Sequence, residues 1–166
     1  MAGSYRADDD DLAPVEGARI LVVESHFNED IVELLHEGAV HALEELGCDV
    51  TTITVPGALE LAAGAAIALD AAEAAGAPYE GVVALGCVIR GDTYHFEIVA
   101  NESARALTDL SVARRLPLGN GVLTVDNEEQ AVLRADPKQG GADKGGDAAL
   151  AALALVRLKR KLGGRS

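Results

Sequence analysis

Short apolar runs alternate with longer amphipathic stretches from residue 18 onward. Four runs carry strand character: 18–24 (ARILVVE), 48–55 (CDVTTITV), 82–89 (VVALGCVI) and 121–125 (GVLTV). Runs this short, rich in β-branched residues and bounded by Gly or Pro, suit strands buried on both faces of a parallel sheet. Between them the period changes. Ile31, Leu34, Leu35, Ala39, Ala42, Leu43 and Leu46 share one arc of a helix that Gly47 ends, with Glu33, Glu37, His41, Glu44 and Glu45 opposite and His36 at the border. Residues 58–75 predict an alanine-rich second helix, closed by Gly76-Ala77-Pro78. A third begins near Thr93, capped by Asp92 or Thr93, and carries Phe96, Val99, Ala100, Ala104, Leu107 and Leu110 at helical spacing to near Leu116. A short helix over 128–134, a Gly- and Pro-containing loop over 135–146 and a last helix over 147–162 complete the pattern.

Strand–helix alternation with short connections predicts a parallel sheet covered by helices on both faces. The expected fold is α/β: a flavodoxin-like three-layer sandwich with a four-stranded parallel sheet flanked by helices. Residues 1–17, including the run Asp8–Asp11, read as a polar lead-in, mobile at its start. Residues 18–166 read as a single domain, with no internal repeat.

Composition narrows the function. The formal charge of −13 argues against nucleic acid or an anionic membrane as partner, and an anionic substrate needs a local cationic pocket. Two cysteines, Cys48 and Cys87, have no metal-ligand spacing and read as free thiols of a reducing cytoplasm. No apolar run reaches membrane-spanning length, and the acidic start does not resemble a signal peptide. The metal-ligand count is empty and no cofactor is implied; P-loop, GxGxxG and paired CxxC patterns do not occur.

The candidate chemistry gathers at the ends of the predicted strands, where open α/β sheets bind ligands. Phe27 follows the first strand and either stacks on a flat ring or packs as a satellite of the core. Ala58, Leu59 and Glu60 follow the second; Glu60 accepts hydrogen bonds from a ligand or complements the helix dipole. Cys87, Val88 and Ile89 end the third. Beyond them, Asp92 and Thr93 open a helix whose free N–H groups suit an anion, and His95 can exchange protons near neutral pH. Asn120 and Arg134 flank the fourth strand and its short helix, and Arg134 either pairs with a phosphate or is a solvated charge.

Phe27-Asn28, PGALE at 56–60, GCVIRGDTYHFE at 86–97, GVLTVDNEEQA at 121–131 and KGGDA at 144–148 together resemble the lumazine synthase family of riboflavin biosynthesis. The resemblance covers nearly the whole chain from residue 18 onward, in order and spacing. It implies condensation of 5-amino-6-(ribitylamino)uracil with 3,4-dihydroxy-2-butanone 4-phosphate to 6,7-dimethyl-8-ribityllumazine, without cofactor. On this reading Phe27 stacks on the pyrimidinedione. Ala58, Leu59 and Glu60 hold the ring edge and ribityl hydroxyls, while Cys87, Val88 and Ile89 line the ring pocket with main-chain groups. Asp92, Thr93 and Arg134 take the phosphate, and His95 is the acid/base group. The family's sites lie between subunits of a homopentamer, which assigns Asn120 and Arg134 to the neighbour; riboflavin synthase is an implied partner. Some members stack twelve pentamers into a shell. Two departures follow: Asn120 stands where many members carry Phe, and the loop 135–146 reads about two residues longer than in shell formers. A non-catalytic riboflavin- or lumazine-binding paralogue of the same fold is the alternative.

Overall fold

A computed structural model describes residues 8–163. Four strands, β1 (Arg19–Ser25), β2 (Asp49–Val55), β3 (Gly81–Ile89) and β4 (Leu118–Val125), form one sheet in the order β2-β1-β3-β4. Every pairing is parallel. The expected architecture is the observed one. β3 is central, and all but its last residue are buried, which is why its sequence is apolar without alternation. β2 lies at an edge, and its residues are all exposed or half-buried.

Helices cover both faces. α1 (Glu29–Glu45), α4 (Glu128–Ala135) and α6 (Lys144–Leu162) pack on one, against Ile20, Val22, Val83 and Leu85. α2 (Leu61–Ala74) and α3 (His95–Arg114) pack on the other, against Leu21, Val23, Val82 and Ala84. The two sets alternate along β1 and β3, as pleating requires. α6 sits unusually close. A Cβ on Gly119 would overlap the Ala148 carbonyl, and one on Gly145 would overlap the Leu35 carbonyl, so both positions need glycine.

Several expected boundaries shift. Residues 58–60 form a 3₁₀ turn ahead of α2. β4 begins at Leu118 because Leu118, Gly119 and Asn120 pair with Val82, Val83 and Ala84. The predicted loop 135–146 contains a helical turn, α5 (Pro137–Gly140), opened by Asp136 accepting from the Lys138 N–H at 2.9 Å. α6 starts at Lys144, three residues early, because Asp143 caps it through the Gly146 N–H at 2.8 Å. Residues 1–7 of the lead-in lie outside the described residues. Its end is packed: Val15 is buried and donates to the Leu46 carbonyl at 2.8 Å. His36 is not a plain surface residue, since Glu24 at the end of β1 meets its Nδ1 at 2.7 Å.

Candidate active site

The strand order makes the chain step from β1 outward to β2, then cross back to β3. The crevice between the carboxyl ends of β1 and β3 is therefore the switch point at which such sheets bind ligands. A cleft of about 320 Å³ opens there. Phe27 and Asn28 line it from β1, Ala58 from the 3₁₀ turn, Cys87, Val88 and Ile89 from β3, and Gly91, Thr93, His95, Phe96 and Val99 from the start of α3.

On the β1 side the loop is tied to the end of β2. His26 N–H donates to the Val55 carbonyl at 2.8 Å, and Phe27 N–H to the Pro56 carbonyl at 3.2 Å. Asn28 then adopts the left-handed conformation, φ 60°, and turns the chain into α1. Its side chain does not cap the helix; the amide donates to the Cys87 carbonyl at 2.8 Å and joins the two walls of the cleft. Phe27 is left 72% exposed at the mouth, a ring free to stack on a ligand.

On the β3 side, successive residues face opposite layers. Cys87 points into the α1/α6 layer, so it lends the cleft backbone and not sulfur. Burial, reinforced by Glu128, pushes its thiol up to about 11, which keeps it protonated and unreactive at neutral pH. Val88 faces the α2/α3 layer. The Arg90 N–H makes the last ladder bond, to the Val125 carbonyl at 2.9 Å, and the chain leaves the sheet. α3 begins at His95, two residues later than Thr93, because the Thr93 hydroxyl folds locally to accept from the His95 N–H at 3.4 Å. His95 is thus an exposed side chain on the first residue of a 20-residue helix, beside N–H groups suited to an anion.

The remaining candidates fall outside this cleft. Leu59 is 44% exposed, Glu60 and Asp92 are exposed, and none of the three lines it. Asn120 does not flank β4; it is an exposed residue inside it, opposite Ala84, with its Oδ1 accepting from the Val122 N–H at 2.9 Å. Ala84 lies three residues before Cys87, so Asn120 stands about 10 Å short of the rim at roughly 3.3 Å per residue. Arg134 lies near the end of α4 and donates to the Gln130 carbonyl at 2.9 Å. Within one chain, then, Phe27, Ala58, Cys87, Val88, Ile89, Thr93 and His95 line one cleft, and Leu59, Glu60, Asp92, Asn120 and Arg134 do not. Sequence reasoning missed Asn28, Phe96 and Val99 as cleft residues. A polar Asn just before a helix was the available signal for Asn28; the other two read only as helix periodicity.

These features define a small parallel α/β protein with a ligand cleft at the sheet's switch point, able to hold a flat ring beside an anion. The family model described as 6,7-dimethyl-8-ribityllumazine synthase matches residues 17–160, and the chain belongs to that family. It is 58% identical over 162 residues to 6,7-dimethyl-8-ribityllumazine synthase 1 of Rhodopseudomonas palustris, covering 98% of each chain. It is 57% identical to the 6,7-dimethyl-8-ribityllumazine synthase of Nitrobacter hamburgensis, again over 98% of each. With that of Azorhizobium caulinodans it shares 60% identity over 148 residues, 89% of this chain and 90% of the relative.

Proposed function

We propose that this chain condenses 5-amino-6-(ribitylamino)uracil with 3,4-dihydroxy-2-butanone 4-phosphate to give 6,7-dimethyl-8-ribityllumazine, phosphate and water. The observation that carries the reading is the convergence in one cleft of an exposed ring, backbone polar groups and a helix start bearing His95. The primary amine of the pyrimidine attacks the ketone and water leaves to form an imine. Phosphate is then eliminated, and the second amine closes the ring with loss of another water. Each step needs positioning and proton transfer more than a strong nucleophile. Phe27 stacks on the pyrimidine, Ala58, Leu59 and Glu60 hold its edge and ribityl hydroxyls, and the backbone of Cys87, Val88 and Ile89 fixes its register. The start of α3, with Asp92 and Thr93, receives the phosphate, Arg134 neutralises it, and His95 carries protons.

The catalytic unit on this reading is a homopentamer in the cytoplasm, with sites shared between adjacent subunits and a product passed to riboflavin synthase. Two observations support sharing. Arg134 and Asn120 stand away from their own cleft, free to serve a neighbour's. Ile67 on α2 and Ile98 and Val112 on α3 are 70%, 45% and 65% exposed, an apolar display suited to burial against another subunit. Light scattering tests the assembly: a mass near five chains is expected, because the exposed turn at Pro137–Gly140 adds bulk where pentamers would meet. A sixty-chain particle rejects that steric argument. Catalysis is tested by mixing the protein with both substrates and following lumazine absorbance. Binding of the pyrimidine without turnover would instead make the chain a carrier.

A further inference from the structure

The segment Gly91–Tyr94, between β3 and α3, is held by its ends and not by packing. A Cβ built on Gly91 would meet nothing within 4 Å. Yet this segment must present the anion-binding N–H groups and set the direction of His95. One side chain closes its two ends on each other. The Arg90 guanidinium donates through Nη1 to Glu97 Oε1 at 2.5 Å and through Nε to Asp126 Oδ1 at 2.9 Å. It also lies 4.3 Å from the centroid of the Phe96 ring. Phe96 and Glu97 belong to the first turn of α3, while Asp126 follows β4 and precedes α4. Arg90 therefore joins the end of β3, the start of α3 and the β4–α4 junction. Its hydrogen bond holds the Glu97 carboxyl below the usual carboxylate range. Asp126 is braced in turn, its N–H donating to Gln130 Oε1 at 2.8 Å.

We propose that Arg90 is a positioning residue that fixes the 91–95 segment for phosphate, an assignment that rests on the condensation reading above. It does not line the cleft. It acts by keeping the helix start and the strand end at a fixed separation, and the planar fork suits a task in which two carboxylates are met at once. Because α4 carries Arg134, the same guanidinium ties the chain's own phosphate loop to the helix that would serve the adjacent subunit.

The test uses the assembled full-length protein, with inorganic phosphate titrated by calorimetry and steady-state turnover measured alongside. Arg90→Ala is expected to weaken phosphate about tenfold and to raise the KM of the phosphorylated substrate similarly, with the pyrimidine KM within about twofold of wild type. Arg90→Lys should recover only part of the loss, since an ammonium lacks the fork. Glu97→Gln provides a test of sign. Removing a negative charge near an anion site tightens phosphate if charge alone matters, whereas a broken clamp weakens it, by about threefold. Asp126→Asn is expected to act in the same direction, and the two carboxylate variants decide the question if Arg90→Ala does not fold. Tighter phosphate in Glu97→Gln, equal losses for both substrates, unchanged constants throughout, or no phosphate binding by wild type each overturn the proposal. Wild-type protein that binds phosphate but forms no lumazine refutes the condensation and leaves the clamp to be judged on phosphate binding alone.

Discussion

Replacing Asn28 separates two effects that this residue combines. Its backbone is left-handed, φ 60°, and its amide supplies the donor for the Cys87 carbonyl at 2.8 Å. Asn28→Gly keeps the backbone conformation, removes the hydrogen bond and also relieves the strain of the wild-type Cβ in the left-handed region. Cys87 is 3% exposed, so its carbonyl loses a donor where water does not replace it readily, a loss of about 1–2 kcal/mol. Asn28→Ala loses the same bond and keeps a Cβ in the left-handed region as wild type does, so it stands below Gly by that strain, about 1–2 kcal/mol. At about 2–4 °C per kcal/mol for a domain of this size, Ala should lower the melting temperature by about 5 °C, while Gly, its lost bond offset by the relieved strain, stays within about 2 °C of wild type. Thermal unfolding of wild type and both variants at one protein concentration reads this directly. The pyrimidine affinity of both variants should fall as well, because the bond joins the wall bearing Phe27 to the wall at Cys87, Val88 and Ile89. Equal melting temperatures for Gly and Ala would remove the strain argument. Two variants as stable as wild type would show that the inter-strand bond contributes nothing.

Three further outcomes are expected. His95→Ala should slow lumazine formation by roughly 10²-fold, the usual worth of acid–base catalysis, and turnover equal to wild type would remove His95 from the mechanism. Arg134→Ala should raise the KM of the phosphorylated butanone far more than that of the pyrimidine, with partial rescue by Lys; equal losses in steady-state titration would refute the phosphate assignment. Burial pushes both thiols, Cys48 and Cys87, from 9.0 up to about 11. A raised folded-state pKa contributes stability below the unfolded value that is lost as pH rises, so denaturation midpoints should decline between about pH 9 and 11. That decline should shrink in a variant with both cysteines replaced by Ala, and midpoints flat across the range would contradict the burial argument.

The layers and the parallel sheet could be read from the sequence because β1 and β3 are apolar without interruption and the amphipathic segments between them are long. The ring side of the site was legible for the same reason: Phe27 and Ala58 follow strands, Cys87–Ile89 end one, and strand ends converge. Most of what was not legible depended on partners remote in sequence. β4 begins at Leu118 only because β3 lies beside it, and nothing local in Leu-Gly-Asn announces a strand. α3 begins two residues beyond Thr93 because Thr93 has capping chemistry but spends it on a local turn. His36 looked like a border residue until β1 delivered Glu24 to it. Arg90 and Asp126 carry no signature of one another, since only folding brings residues 36 positions apart into contact.

The seat of α6 has a consequence for how this chain can vary. Gly119 and Gly145 bring the helix into contact with the backbone of β4 and α1, so its position is set inside the body of the protein. The connection that precedes it, including the turn at Pro137–Gly140, is a tether and not a ruler. Lengthening or trimming that tether would leave the C-terminal helix, the sheet beneath it and the cleft at the far rim where they are. The contour of the protein around Pro137–Gly140 and the cleft at the far rim are therefore written on separable parts of one short sequence.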